Sequence, residues 1–139
     1  MILEAPYSAL NFHSDEKDYH KVAREVFPIL IQLATDSKRP TISYGQLAEK
    51  VGVTHIPSNR RGHWMRWPLG SIWCTLFEYQ QESDLDIPYL TTIVVNKSTG
   101  IPTVFKERLN WSKEKIKLEQ DAVYKFEQWI DIMEAICQK

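Results

Sequence analysis

The sequence predicts a single α+β domain, mainly helical with one small β element. Three observations carry that expectation. Apolar residues recur at steps of three and four across residues 14–36, 68–81 and 112–138, the spacing that lines one face of a helix. One β-branched run, Thr91 to Val95, is followed by turn residues and a second short apolar run, which reads as a β-hairpin. A chain of 139 residues, 43% of them hydrophobic, can build one core without disulfides or metals, but hardly two.

The first helix covers residues 14–36, with Tyr19, Val22, Ala23, Val26, Phe27, Leu30, Leu33 and Ala34 on its apolar stripe and Ser14 or Asp15 as cap. Pro28 has no N–H for the carbonyl of Arg24 and should kink or split it, and Lys38, Arg39 and Pro40 end it. Thr41 to Ser43 is a short extended piece. Ser43 then caps a helix over about 44–51, where Gln46 completes a capping box, Leu47, Ala48 and Val51 form the buried face and Gly52 supplies the left-handed stop. From Val53 to Arg66 the chain is polar and broken by Pro57 and Gly62. Pro68 suits the first position of a helix to about Gln81, with Leu69, Ile72, Trp73, Leu76 and Phe77 inside, and residues 83–88 form an acidic loop. Thr91–Val95, the turn Asn96–Gly100 and the return Ile101–Phe105 make the hairpin. Ser112 opens a last helix to residue 138, with Ile116, Val123, Phe126, Ile130, Met133 and Cys137 inward. This order describes a winged helix-turn-helix over residues 40–105, the hairpin as its wing, with the N- and C-terminal helices flanking it in one domain, 1–139.

Seventeen Lys and Arg against eighteen Asp and Glu leave a net charge of -1, so no global field marks a polyanionic partner. A local one survives. Residues 37–77 hold six Lys or Arg against Glu49 alone, and Trp64 and Trp67 interleave with Arg60, Arg61, His63 and Arg66. Arginines with interleaved aromatics suit phosphate contact plus stacking on a base, whereas the plainer reading is two core Trp beside a solvated basic edge. Cys74 and Cys137 lie in apolar stretches without metal-ligand spacing, which excludes a disulfide scaffold and a cysteine zinc site. The N-terminus lacks the charged and apolar regions of a leader, and no stretch is apolar for the length of a membrane span, so a cytoplasmic protein with no membrane partner is expected.

Ile42-Ser43-Tyr44-Gly45-Gln46-Leu47-Ala48, followed by Val94-Val95-Asn96-Lys97-Ser98-Thr99-Gly100-Ile101, resembles the winged-helix DNA-binding domain of the O6-alkylguanine alkyltransferases and alkyltransferase-like proteins over roughly residues 40–102. The resemblance implies a helix-turn-helix opened by the first motif and a strand and turn in the second. It stops before the chemistry. Where those enzymes carry Pro-Cys-His-Arg, this chain has Pro88-Tyr89-Leu90-Thr91-Thr92-Ile93, so the alkyl-accepting thiolate is missing and Tyr89 only approximates the aromatic that replaces it in alkyltransferase-like proteins. The stretch from Leu90 to Pro102 is also similar to a group of uncharacterised bacterial and phage-borne small proteins with the same Tyr-Gly-x-Leu-Ala start.

The remaining inventory argues against catalysis. Cys74 sits among bulky apolar residues that raise a thiol pKa, and no base neighbours it in sequence. His55 and His63 have no carboxylate near them in sequence and read as surface or phosphate-facing groups, while His13 and His20 lie seven apart, with His13 before the expected helix cap. No glycine loop cradles phosphates, so neither a catalytic residue, a metal nor a cofactor is expected. The leading expectation is a non-catalytic DNA-binding protein using Ser43, Tyr44, Arg60, Arg61, His63, Trp64, Arg66 and Lys97, the last at the wing tip. The alternative is a protein-interaction module, such as an immunity protein or phage-encoded inhibitor, that presents Glu78, Glu82, Asp84 and Asp86 to a partner with a basic surface. In its plainer reading that acidic group is the solvated end of a helix.

Overall fold

The computed structural model describes residues 18–137, and the proposed caps Ser14 and Asp15 and the histidine His13 lie outside them. Helix α1 (Asp18–Ala34) runs unbroken through Pro28. The expected split does not occur, because the stripe Ala23, Val26, Phe27, Leu30, Ile31 and Ala34 is almost wholly buried on both sides of the proline. Packing on that stripe outweighs the missing backbone bond, which ordinarily costs about 3 kcal/mol.

Strand β1 (Ile42–Ser43) leads directly into α2 (Tyr44–Lys50), and the local chemistry is as expected. The Ser43 hydroxyl accepts the Gln46 N–H at 3.1 Å and the Gln46 side chain accepts the Ser43 N–H at 3.2 Å. At the other end Gly52 adopts φ +69°, Gly52 N–H reaches Glu49 O and Val53 N–H reaches Ala48 O, the paired bonds of a Schellman stop. The polar stretch that follows is more helical than Pro57 and Gly62 imply. A 3-10 turn (Ser58–Arg60) passes into α3 (Arg61–Trp64) and, after Met65, into α4 (Arg66–Ser83), so Pro68 falls within the first turn rather than opening it. Residues Pro68 through Leu76 are all buried, and α4 packs along α1 as the central helix.

The hairpin is the main correction. Leu90–Ile93 form a 3-10 turn, and strand β2 (Val94–Val95) pairs in parallel with β1, Ile42 opposite Val94 and Ser43 opposite Val95. Thr91 through Val95 are buried without alternation. A strand half-exposed in a hairpin alternates; a continuous apolar run is what a parallel pair covered on both faces requires. The turn at Asn96 survives, with Asn96 N–H bonding Ile101 O at 2.9 Å and Gly100 N–H bonding Asn96 O at 2.7 Å. The chain beyond it does not return as a strand, since Pro102 precedes helix α5 (Thr103–Glu107).

The last helix is also two. Ser112 caps α6 (Lys113–Lys125) as expected, but Phe126 is extended and α7 (Trp129–Cys137) starts afresh. The cause is Trp129, which is fully buried, sits edge-on to Phe126 and donates its indole N–H to Val123 O at 2.8 Å. The break resets the helical phase. Trp129, Ile132 and Ile136 face the core, while Ile130, expected inward, is 45% exposed. Helix α6 also anchors the strand pair: Tyr124 O–H donates to Pro40 O just before β1, and Gln120 Nε2 donates to Thr92 O, 2.8 Å away, just before β2. Among the described residues no helix is long and apolar enough to cross a membrane.

Because Pro28 is exposed and sits inside a helix whose packing does not use its ring, Pro28→Ala should restore one backbone bond and raise unfolding free energy by about 1–3 kcal/mol, read by urea denaturation. An unchanged or lower midpoint would mean that α1 is shaped around the proline.

Candidate nucleic-acid interface

A groove of about 620 Å³ opens where the amino ends of α2 and α4 meet the Asn96–Ile101 loop and α5. Its floor is apolar: Leu69 and Gly70 come from α4, beside Trp73 and Phe105, whose rings stack 5.1 Å apart and 17° from parallel. Its rim is cationic, carrying Arg66, Lys97 and Arg108 beside His63, with Glu107 as the one carboxylate among the lining residues. Helices α2 and α3 approach closely beneath it. A Cβ on Gly62 would lie 3.4 Å from Tyr44 Cβ and 3.6 Å from the Gly45 nitrogen, in van der Waals contact with α2.

The phenol oxygen of Tyr44 accepts the Thr103 N–H at 3.0 Å and ties α2 to α5 across the groove. Burial pushes the Tyr44 phenol up from its ordinary value, against the lowering effect of its hydrogen bonding to Thr103, and Glu107 adds a smaller push upward. Arg66 carries its guanidinium 4.8 Å from the centroid of the Trp67 ring, and its Nε is buried without a hydrogen-bond partner. Trp67 in turn stacks on Tyr19 of α1, 6.0 Å between centroids.

Four of the eight residues expected to meet nucleic acid, Tyr44, His63, Arg66 and Lys97, thus line one groove although they come from distant parts of the chain. The others are placed differently. Ser43 is buried and its hydroxyl is engaged in the α2 cap, so it positions Tyr44. Arg61 donates Nε–H to Ile56 O at 2.8 Å and braces the loop before α3. Trp64 is half-buried against the core and meets His55 edge to face at 4.9 Å, while His55 Nε2 lies 2.9 Å from Asp18 Oδ2. Arg60 is exposed on the 3-10 turn, outside the groove lining. Tyr89 does not line the groove; it packs in an aromatic cluster with Trp73, Phe105 and Trp111 at 5.2, 5.7 and 5.6 Å, and its N–H donates to Glu119 Oε2. Sequence reasoning missed Phe105, Glu107 and Arg108, because it assigned the first to a strand and passed over the others. A signal was present in Pro102, which favours the start of a helix.

The acidic residues gather at the far end of the same helix. Glu78 and Glu82 belong to α4, Asp84 ends it in the left-handed region at φ +61°, and Asp86 follows in the loop. From Arg66 to Ser83 a rise of 1.5 Å per residue gives about 26 Å between the two charge groups. Both oppose the helix dipole, which favours anions at the amino end and cations at the carboxyl end. The first turn of α4 holds no acidic residue and its last turn no basic one. Helix stability therefore does not account for either group.

Among the described residues no three His, Cys, Asp or Glu side chains gather as a metal site. Comparisons of the chain with protein-family models, with curated proteins and with solved structures return no match. What fold and site define is a mainly helical α+β domain with a cation-rimmed groove.

Cys74 is buried on α4, and desolvation, with Glu78 adding to it, pushes its thiol up to about 11. At pH 8 roughly one thiol in a thousand is then ionised. Iodoacetamide should leave Cys74 unmodified in the native protein and label it after unfolding, as read by peptide mass spectrometry; rapid native labelling would contradict this placement.

Proposed function

We propose that this chain is a non-catalytic DNA-binding protein in which α2 and the α3–α4 run act as a helix-turn-helix-like pair, with the Asn96–Ile101 loop in place of a hairpin wing. The observation that carries this reading is the convergence of Tyr44, His63, Arg66 and Lys97 on one groove. Arg66 and Lys97 contact phosphates, His63 lies beside them in the groove lining, and Arg60 extends the contact along the backbone of the duplex. Arg61 and Trp64 hold the α3 segment in place. The cations at the amino end of α4 oppose the helix dipole, which weakens the reading of that edge as a merely solvated surface. The resemblance of residues 40–102 to the alkyltransferase-like DNA-binding domain points the same way and supplies no nucleophile. Regulation, recognition of DNA structure or lesions, and mobile-element defence are settings that suit such a module.

A second reading has its own observation. The acidic residues at the carboxyl end of α4 also stand against the dipole, as they would if Glu78, Glu82, Asp84 and Asp86 met a protein with a basic surface, in the manner of an immunity protein or phage-encoded inhibitor.

A fluorescence titration with duplex, single-stranded and alkylated DNA at several salt concentrations separates the two. Arg66→Ala and Lys97→Ala should each weaken binding similarly across sequences and lower the salt slope by about one. Arg61→Ala should act through lost stability, visible as a lower melting temperature, because its Nε–H braces Ile56 O. Silence of the parent protein toward all three DNAs at low salt would end the DNA reading and leave the acidic end of α4 as the working surface.

A further inference from the structure

Phosphates on the convex surface of a duplex can touch the rim of the groove, but they cannot fill its interior. The interior has features of its own. About 620 Å³ lies within the range of small-molecule sites, and an apolar floor under a few converging polar groups is how such sites are built. We propose that the groove binds a free aromatic phosphate monoester of mononucleotide size, ring on the Leu69–Trp73–Phe105 floor and phosphate at Arg66 and Lys97.

Charge selects the ligand class. Three permanent cations, Arg66, Lys97 and Arg108, line the groove against the single carboxylate of Glu107, a balance that suits a phosphate dianion rather than a zwitterionic amino acid. Hydrogen bonding agrees. The Arg66 guanidinium, laid over Trp67, offers N–H donors at the groove that Arg66 lines. Tyr44, whose phenol oxygen takes the Thr103 N–H, adds a polar group to the same lining. Glu107 on the opposite wall offers an acceptor for an exocyclic amino group, which favours a nucleobase over a plain phenyl ring. This site does not depend on the DNA reading, though the two share Tyr44, Arg66 and Lys97.

Isothermal titration calorimetry of the full chain with AMP tests it. One-to-one binding with a dissociation constant below about 1 mM is expected, at least roughly tenfold tighter than adenosine, inorganic phosphate or phenylalanine. Arg66→Gln and Lys97→Gln should each weaken AMP at least about tenfold, whereas Lys125→Gln, exposed on α6 and outside the groove lining, should leave it unchanged. Circular dichroism of each variant confirms that the fold is kept. Absence of heat with millimolar AMP, equal affinity for adenosine, or full affinity in both groove variants would overturn the site. AMP binding by a chain that ignores DNA would sink only the DNA reading, and DNA binding by a chain that ignores AMP would sink only this one.

Discussion

The groove depends on the parallel pairing of two two-residue strands. Ile42–Ser43 and Val94–Val95 run the same way in register, so the residues that leave them, Tyr44 and Asn96, emerge side by side at the same end. One path becomes α2 and the other the loop that carries Lys97. An antiparallel partner would have sent them to opposite ends and left no groove between them. So short a ladder is weak alone and is held from outside. Tyr124 and Gln120 of α6 donate to the carbonyls of Pro40 and Thr92, one before each strand, and fix the other end of the pair. Burial pushes the Tyr124 phenol up to about 12, so that clamp keeps its proton at any physiological pH.

The central helix adds a second constraint. Residues 68–76 of α4 are buried without interruption, which fixes its position against α1 and leaves only its two ends short of full burial. Those ends carry charges of opposite sign, each at the end the dipole disfavours. Weak costs of this kind, a few tenths to about 1 kcal/mol each, are tolerated where a surface serves something other than its own helix. The cationic end borders the groove; the acidic end lies the length of the helix away.

How much of this was legible depended on the range of the interactions. The cap at Ser43, its partner Gln46 and the stop at Gly52 are bonds within a few residues, and the sequence states them directly. The stripe of α1 was equally readable, even across Pro28. Ile93-Val94-Val95 was read as a hairpin strand although its lack of alternation pointed to burial on both faces, a property that only the distant partner Ile42 explains. The end of α6 at Phe126 has no proline or glycine to announce it and follows from Trp129 seeking the core. The basic run was visible as composition but not as geometry. Arg60, Arg61 and Arg66 look equivalent in sequence, yet one is free at the surface, one braces a loop and one lines the groove. Arg108 was missed because its segment was assigned past the end of a strand that does not form.

Helix α5 shows what the site asks of the rest of the fold. Five residues are too few to hold a helix by backbone bonds alone, since nucleation is unfavourable and the ends are a large share of so short a piece. Two contacts hold it instead: Phe105, 2% exposed, stacks on Trp73 and packs against Trp111, and the Thr103 N–H rests on the Tyr44 phenol. Both anchors are also walls of the groove. The position of Glu107 and Arg108 therefore depends on the Tyr44 contact and on the Trp73–Phe105 stack rather than on the backbone bonds of α5 itself.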